Sequence, residues 1–208
     1  TLTIEGKSDE NKIILDGLSM SHKGSLLLSY KGTFSGKYLT FQNNINSENY
    51  GGAIWSQSST IVLTDSLIYN NKSSYGGGYY GQMVSGSNLG TFTNVIFDSN
   101  IGTYGGSVRN NGKVVLYDCI IKNSYSANYG GGISNEGGGE CIVTRGKIID
   151  NVADVMGGGL YLDGATTLTL VEISGNNANY GAGITFSGGN NRRIATIRNN
   201  RRSKAKRS

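Results

Sequence analysis

Apolar and polar residues alternate along this chain in short runs, and none of the runs has helical spacing. Thr60-Ile61-Val62-Leu63-Thr64, Thr91-Phe92-Thr93, Lys113-Val114-Val115-Leu116, Glu140-Cys141-Ile142-Val143-Thr144 and Thr167-Leu168-Thr169-Leu170 show the period of two expected of half-buried strands. A second set of short apolar segments ends in an Asn-rich corner, as in Leu67-Ile68-Tyr69-Asn70-Asn71 and Ile148-Ile149-Asp150-Asn151. A third set follows a pair of small residues, as in Ala53-Ile54-Trp55 and Gly159-Leu160-Tyr161-Leu162. Every run is too short for a helix.

The pairs of small residues recur. Asn49-Tyr50-Gly51-Gly52-Ala53-Ile54 returns as Tyr75-Gly76-Gly77-Gly78-Tyr79, Tyr104-Gly105-Gly106-Ser107-Val108, Tyr129-Gly130-Gly131-Gly132-Ile133, Met156-Gly157-Gly158-Gly159-Leu160 and Tyr180-Gly181-Ala182-Gly183-Ile184. Aligned on the last small residue, successive copies are 25, 29, 25, 27 and 24 residues apart. A near-regular period of this size marks a solenoid. Three short strands per period predict an all-β, single-stranded parallel β-helix with 24–29 residues per coil. Leucine-rich repeats share the period, but their Leu spacing and helical segment are absent; propeller blades are longer. The helix domain is assigned to residues 1–198, with irregular coils in 1–36, and 199–208 to a basic, flexible tail.

Composition fits this reading. There are 33 Gly and no Pro, and a Pro would remove a donor from any interior ladder. Collagen is excluded by the lack of a Gly-X-Y period, and disorder by the abundance of Val, Ile, Leu and Tyr. The glycines assigned to the turns are Gly51, Gly52, Gly76, Gly77, Gly105, Gly106, Gly130, Gly131, Gly157, Gly158, Gly181 and Gly183. Asn46, Asn71, Asn100 and Asn176 stand five residues before the first Gly of their coils, Asn151 stands six before, and Tyr125 replaces Asn in its coil. Stacked Asn side chains are expected to cap peptide groups freed at each bend. The Tyr before the glycines predicts an aromatic stripe, facing either the interior or solvent.

The net charge of +5 divides unevenly. Residues 1–191 hold eleven basic against 14 acidic residues, a net of −3, and all eight basic residues that remain lie from Arg192 onward. Nucleic-acid binding by the body is therefore not expected. Arg201, Arg202, Lys204, Lys206 and Arg207 form an arm suited to an anionic partner. Cys119 and Cys141 fit two buried core residues or one disulfide, and a disulfide-rich scaffold is excluded. No apolar run is long enough to span a membrane.

Candidate chemistry is sparse. Asp65, Asn94 and Asp118 occupy equivalent places, so the two acids sit two coils apart, roughly 10 Å. With Arg145 they form a candidate catalytic strip for a polysaccharide lyase or hydrolase, and the Asp/Asn ladder is a candidate calcium site. No other metal site or cofactor motif is present. His22 is the only His and reads as a loop residue, so no Ser-His-Asp triad forms. Trp55, Tyr80 and Tyr161 hold comparable places after the glycines and are candidates for contact with sugar rings or a protein. Asn71-Lys72-Ser73 is an N-glycosylation sequon.

Gly-Gly-Ala-Ile at 51–54 and Phe-x-x-Asn at Phe41–Asn44 and Phe97–Asn100 resemble the paired repeat motifs of the chlamydial polymorphic outer membrane proteins. The likeness covers residues 37–190, with Phe-x-x-Asn degraded to Ile68–Asn71 and Ile173–Asn176. That resemblance implies a right-handed β-helix, display at a cell surface or outside the cell, and adhesive binding of a protein or glycan. The function expected is thus a non-catalytic binding rod. A scaffold subunit in a large assembly and a carbohydrate-active enzyme are the alternatives.

Overall fold

A computed structural model describes residues 1–84, 86–187, 191–198 and 201–202, with side chains through 187 except that of His22. The chain is a right-handed parallel β-solenoid, and every pairing among its described strands is parallel and joins one coil to the next. This follows from the repeat: each strand finds its best partner in its own copy one coil away.

Four ladders run along the axis. Ladder A holds the strands that follow the glycines, including Ile54–Gln57, Tyr79–Gln82, Val108–Asn110 and Leu160–Leu162. Ladder B holds the alternating runs, including Thr60–Thr64, Leu89–Thr93 and Lys113–Tyr117. Ladder C holds Leu39–Gln42, Leu67–Tyr69, Ile96–Asp98, Ile120–Lys122 and Lys147–Ile149. Ladder D, where only an Asn-rich corner was expected, holds Ile101–Tyr104, Tyr125–Tyr129, Val152–Met156 and Asn177–Tyr180. Ser21–His22 belongs to ladder D by pairing with Ile45–Asn46, so the backbone of His22 is in a strand rather than a loop. The three-ladder expectation is corrected to four. These segments are rich in Gly, Ser, Ala and Asn, and their neighbours rather than their propensity hold them extended.

Single residues in left-handed backbone turn the corners. Tyr38, Asp65, Asn94, Asp118, Arg145 and Leu170 have φ between 49° and 54° and separate ladders B and C. Asn43, Asn70, Ser99, Asn123, Asp150 and Gly175 do the same between C and D, and Gly76, Gly105, Gly130, Gly157 and Gly181 between D and A. Left-handed backbone is costly for most side chains, and Asn, Asp and Gly bear it most readily.

Inward positions of ladders A, B and C form the core. Ile54, Ile61, Leu63, Ile68, Phe92, Phe97, Leu116, Ile121, Ile133 and Ile148 are fully buried. Bulk in one coil is offset by its absence nearby. Tyr79 lies wholly inside, and a Cβ on Gly81 or Gly90 would lie 2.7 or 2.6 Å from its hydroxyl. Burial pushes the Tyr79 phenol up to about 12, and Asn88 Nδ2 donates to its oxygen at 3.2 Å. Cys119 and Cys141 are free and buried on neighbouring coils, and burial raises each thiol to about 12.

The Asn stack is real, in a shifted register. It runs Asn44, Asn71, Asn100, Ser124, Asn151, Asn176, so Asn44 replaces Asn46 and Ser124 replaces Tyr125. In the first copy the glycines begin seven residues after the stacking Asn, which misleads a count made backward from them. Each Asn caps the coil before it. Asn151 Oδ1 accepts from Ser124 N at 3.0 Å while its Nδ2 donates to Ile121 O at 3.0 Å, and Asn176 treats Asn151 N and Ile148 O alike. Asn71 is fully buried in this stack, so the folded chain does not present its sequon.

At the N-terminal end of the rod, Leu2–Glu5, Ile13–Asp16 and Leu27–Tyr30 form an end coil that pairs on one edge among the described strands. Leu2, Ile14 and Leu28 are more than half exposed there.

Candidate functional site

The glycine corner between ladders D and A carries two adjoining columns of large side chains. On ladder A the outward column runs Leu28, Trp55, Tyr80, Arg109, Ser134, Tyr161, Thr185 in successive coils. On the other side of the corner lie Tyr50, Tyr75, Tyr104, Tyr129, Met156 and Tyr180, the residues that precede the glycines. Close packing of coils at the corner is what sets the columns side by side. A Cβ on Gly52, Gly106 or Gly131 would strike the carbonyl of the glycine one coil on.

The rings touch in series. Tyr50 stacks on Trp55 with centroids 4.0 Å apart and planes 8° from parallel. Tyr75 meets Tyr80 at 5.6 Å and Tyr104 at 5.9 Å, Tyr104 meets Tyr129 at 5.7 Å, and Tyr129 stacks on Tyr161 at 4.7 Å. The predicted stripe therefore exists, and it faces outward. Of the three ligand-contact candidates, Trp55 and Tyr161 are half-buried surface residues. Tyr80 is 4% exposed and forms an underlayer beneath the other rings, and its burial raises its phenol pKa.

Arg109 occupies the middle of the stripe and was not singled out in the sequence. Its guanidinium carbon lies 4.0, 5.0 and 5.5 Å from the ring centres of Tyr75, Tyr104 and Tyr80. One end reaches Glu136 at 3.0 Å, and Glu136 also accepts from Ser134 Oγ. Nε and Nη1 are buried without a hydrogen-bond acceptor, so the electron-rich ring faces are their nearest compensation. Arg109 thus clamps three rings while its charge is cancelled. The signal was its offset: it stands two residues after the last small residue, as Trp55, Tyr80 and Tyr161 do.

The second candidate strip lies on the corner between B and C, where Asp65, Asn94, Asp118 and Arg145 do stack in consecutive coils. Asn94 Nδ2 donates to Asp65 Oδ1 at 2.7 Å, and Lys37 lies 3.9 Å from the other oxygen. Arg145 grips Asp118 with two bonds, Nε to Oδ1 at 2.8 Å and Nη2 to Oδ2 at 2.7 Å. That hydrogen bonding lowers the Asp118 pKa below 3.8 and holds the carboxylate ionised. The strip is chiefly an exposed chain of mutual bonds, and Asp118 has no proton to donate near neutral pH. No group of three His, Cys, Asp or Glu side chains converges on a metal-sized site among the described residues.

The sign of the Asp118 effect yields a prediction. A depressed folded pKa adds stability above the ordinary carboxylate range that is lost as pH falls through the folded value. The unfolding midpoint of Asp118→Asn is expected to fall less than that of the parent between pH 5 and pH 2, a small difference because both partners are exposed. Urea titrations at stepped pH measure it, and parallel slopes would remove the pair from the acid response.

Arg201 and Arg202 continue ladder D by pairing with Asn177 and Ala178. Lys204, Lys206 and Arg207 lie outside the described residues. No helix among the described residues is long and apolar enough to cross a membrane.

Fold and stripe together define the class: a right-handed parallel β-solenoid with an ordered aromatic face. No family model matches the chain, and neither a known protein nor a solved structure is similar to it at a significant level.

Proposed function

We propose that this protein is a non-catalytic binding rod of the surface-adhesin type, working outside the cell or at its surface, which engages a protein or glycan along the glycine corner. The observation that carries the reading is the continuous contact of rings from Tyr75 through Tyr104 and Tyr129 to Tyr161, with Tyr50 and Trp55 beside it. Tyr, Trp and Arg dominate the energetics of binding surfaces because they bring large area at low entropic cost. Rigid coils hold the rings in place before any partner arrives, which reduces the ordering cost of binding. The motif resemblance to adhesive β-helix repeats points the same way. The enzymatic alternative has weaker support, because its acids are bound to Asn94 and Arg145.

The test is an array of cell-surface glycans and extracellular proteins probed with the parent and with the Trp55→Ala/Tyr161→Ala double variant. Binding is expected to fall at least tenfold in the variant, while its thermal midpoint stays within a few degrees. Binding retained at parental strength, or seen with no ligand on the array, would dismiss the stripe as a binding face.

A further inference from the structure

Resting on that reading, we infer that the stripe takes a neutral, unbranched glycan laid along the rod axis, with sugar rings against Trp55, Tyr129 and Tyr161.

Area argues for a chain-like ligand. Tyr50 is 37% exposed, and Trp55, Tyr75, Tyr104, Tyr129 and Tyr161 are more covered, since each packs on a neighbour. Six rings of this kind leave roughly 300 Å² free, counting about 200 Å² for a whole side chain. A folded partner needs about 800 Å² on each side. The stripe is also about one residue wide on each side of the corner and several coils long.

Charge argues for neutrality. Arg109 and Glu136 lie in the middle of the stripe and are bonded to each other, with side chains 16% and 19% exposed. Two neutral amides, Gln57 and Gln82, flank Trp55 on ladder A, and the carboxylate of Asp163, two residues after Tyr161, disfavours an anionic sugar there. Gln82 Oε1 already accepts from Trp55 Nε1 at 3.1 Å, which fixes the indole plane. Amides and phenols beside fixed aromatic faces suit the hydroxyl groups and C–H faces of a neutral sugar. An extended peptide would be drawn instead to an unpaired strand edge; ladder A is paired on both edges throughout the stripe, and ladder D is carried past Ile101–Tyr104 by bridges at Lys72 and Tyr75.

Trp55 is the only tryptophan and reports directly on the site. The full chain is titrated with cellohexaose, chitohexaose, an acidic oligogalacturonate and a proline-rich decapeptide, while Trp55 fluorescence and migration in polysaccharide-containing gels are followed. A saturable response to a neutral oligosaccharide is expected, weakened about tenfold in Tyr161→Ala and unchanged in Tyr117→Ala on the outer face of ladder B. Circular dichroism checks that Tyr161→Ala is folded, and Tyr129→Leu replaces it if it is not. No response to either neutral sugar, or an equal response from the stripe variant, overturns the inference. A response confined to the decapeptide or to the acidic sugar also overturns it, yet leaves the binding rod standing. An array with no stripe-dependent ligand at all removes both.

Discussion

Gly131→Pro is expected to abolish the folded state at 37 °C or to cost about 4 kcal/mol or more. Gly131 sits in a central coil, and its N–H donates to Gly157 O at 3.0 Å. Proline deletes that donor. Its ring also enters space that even a single Cβ cannot share, because such an atom would strike Gly158 O and Val152 O. Both obstacles are backbone, so no rotamer change relieves them. Gly131→Ala keeps the donor and retains the clash, and about 2–3 kcal/mol is expected. Ala182 marks the contrast: it fills the equivalent place in its own coil. Chemical denaturation of both variants measures the order Pro, Ala, parent; a Gly131→Ala variant as stable as the parent would show that the coils can separate to admit the methyl group.

Asn151→Leu is expected to cost about 3–5 kcal/mol, although leucine is more apolar and close in size. The substitution strands Ser124 N–H and Ile121 C=O, two buried backbone groups whose partners are the Asn151 amide atoms. An abandoned buried group costs roughly 1–3 kcal/mol. Asn151→Ser should cost about half as much, since a hydroxyl oxygen can still accept, as Ser124 Oγ does from Asn100 N at 3.3 Å. Urea unfolding with unchanged m-values would separate these effects from a change in the unfolded chain. Equal losses for Leu and Ser would mean that volume, and not capping, sets the cost.

Much of this architecture was legible in the chain itself. Ladders B and C announce themselves because one face of each strand is buried and the other wet, which writes a period of two. Ladder A is marked by the glycines ahead of it. Ladder D left no such trace, since Tyr125–Tyr129 and Asn177–Tyr180 owe their extended form to pairing with equivalents a coil away. The Asn register slipped for a similar reason: distance from the glycines varies with corner length, whereas the Phe-x-x-Asn spacing is fixed by the ladder that Phe41 and Phe97 share with Ile68. That the Tyr rings face outward was also hidden. They stand at a bend, where alternation no longer tells inside from outside. Arg109 escaped notice because its charge type differs from the aromatic residues whose column it joins.

The exchange at Ser107 and Ser124 bears on how such a chain can drift. Ser124 replaces an Asn in the buried stack, and Ser107 stands where Gly78 and Gly132 occupy the adjoining coils. The two hydroxyls meet at 2.7 Å and are fully enclosed, with Asn100 Nδ2 3.4 Å from Ser107 Oγ. One coil has lost the volume of an amide and its neighbour has gained a hydroxymethyl group in the same space. The two departures form a linked pair: either alone would leave a hole or an overlap in the space they share. The repeated coils can therefore differ most freely from one another at sites facing solvent. Inside, they change in partnership with the coil above or below.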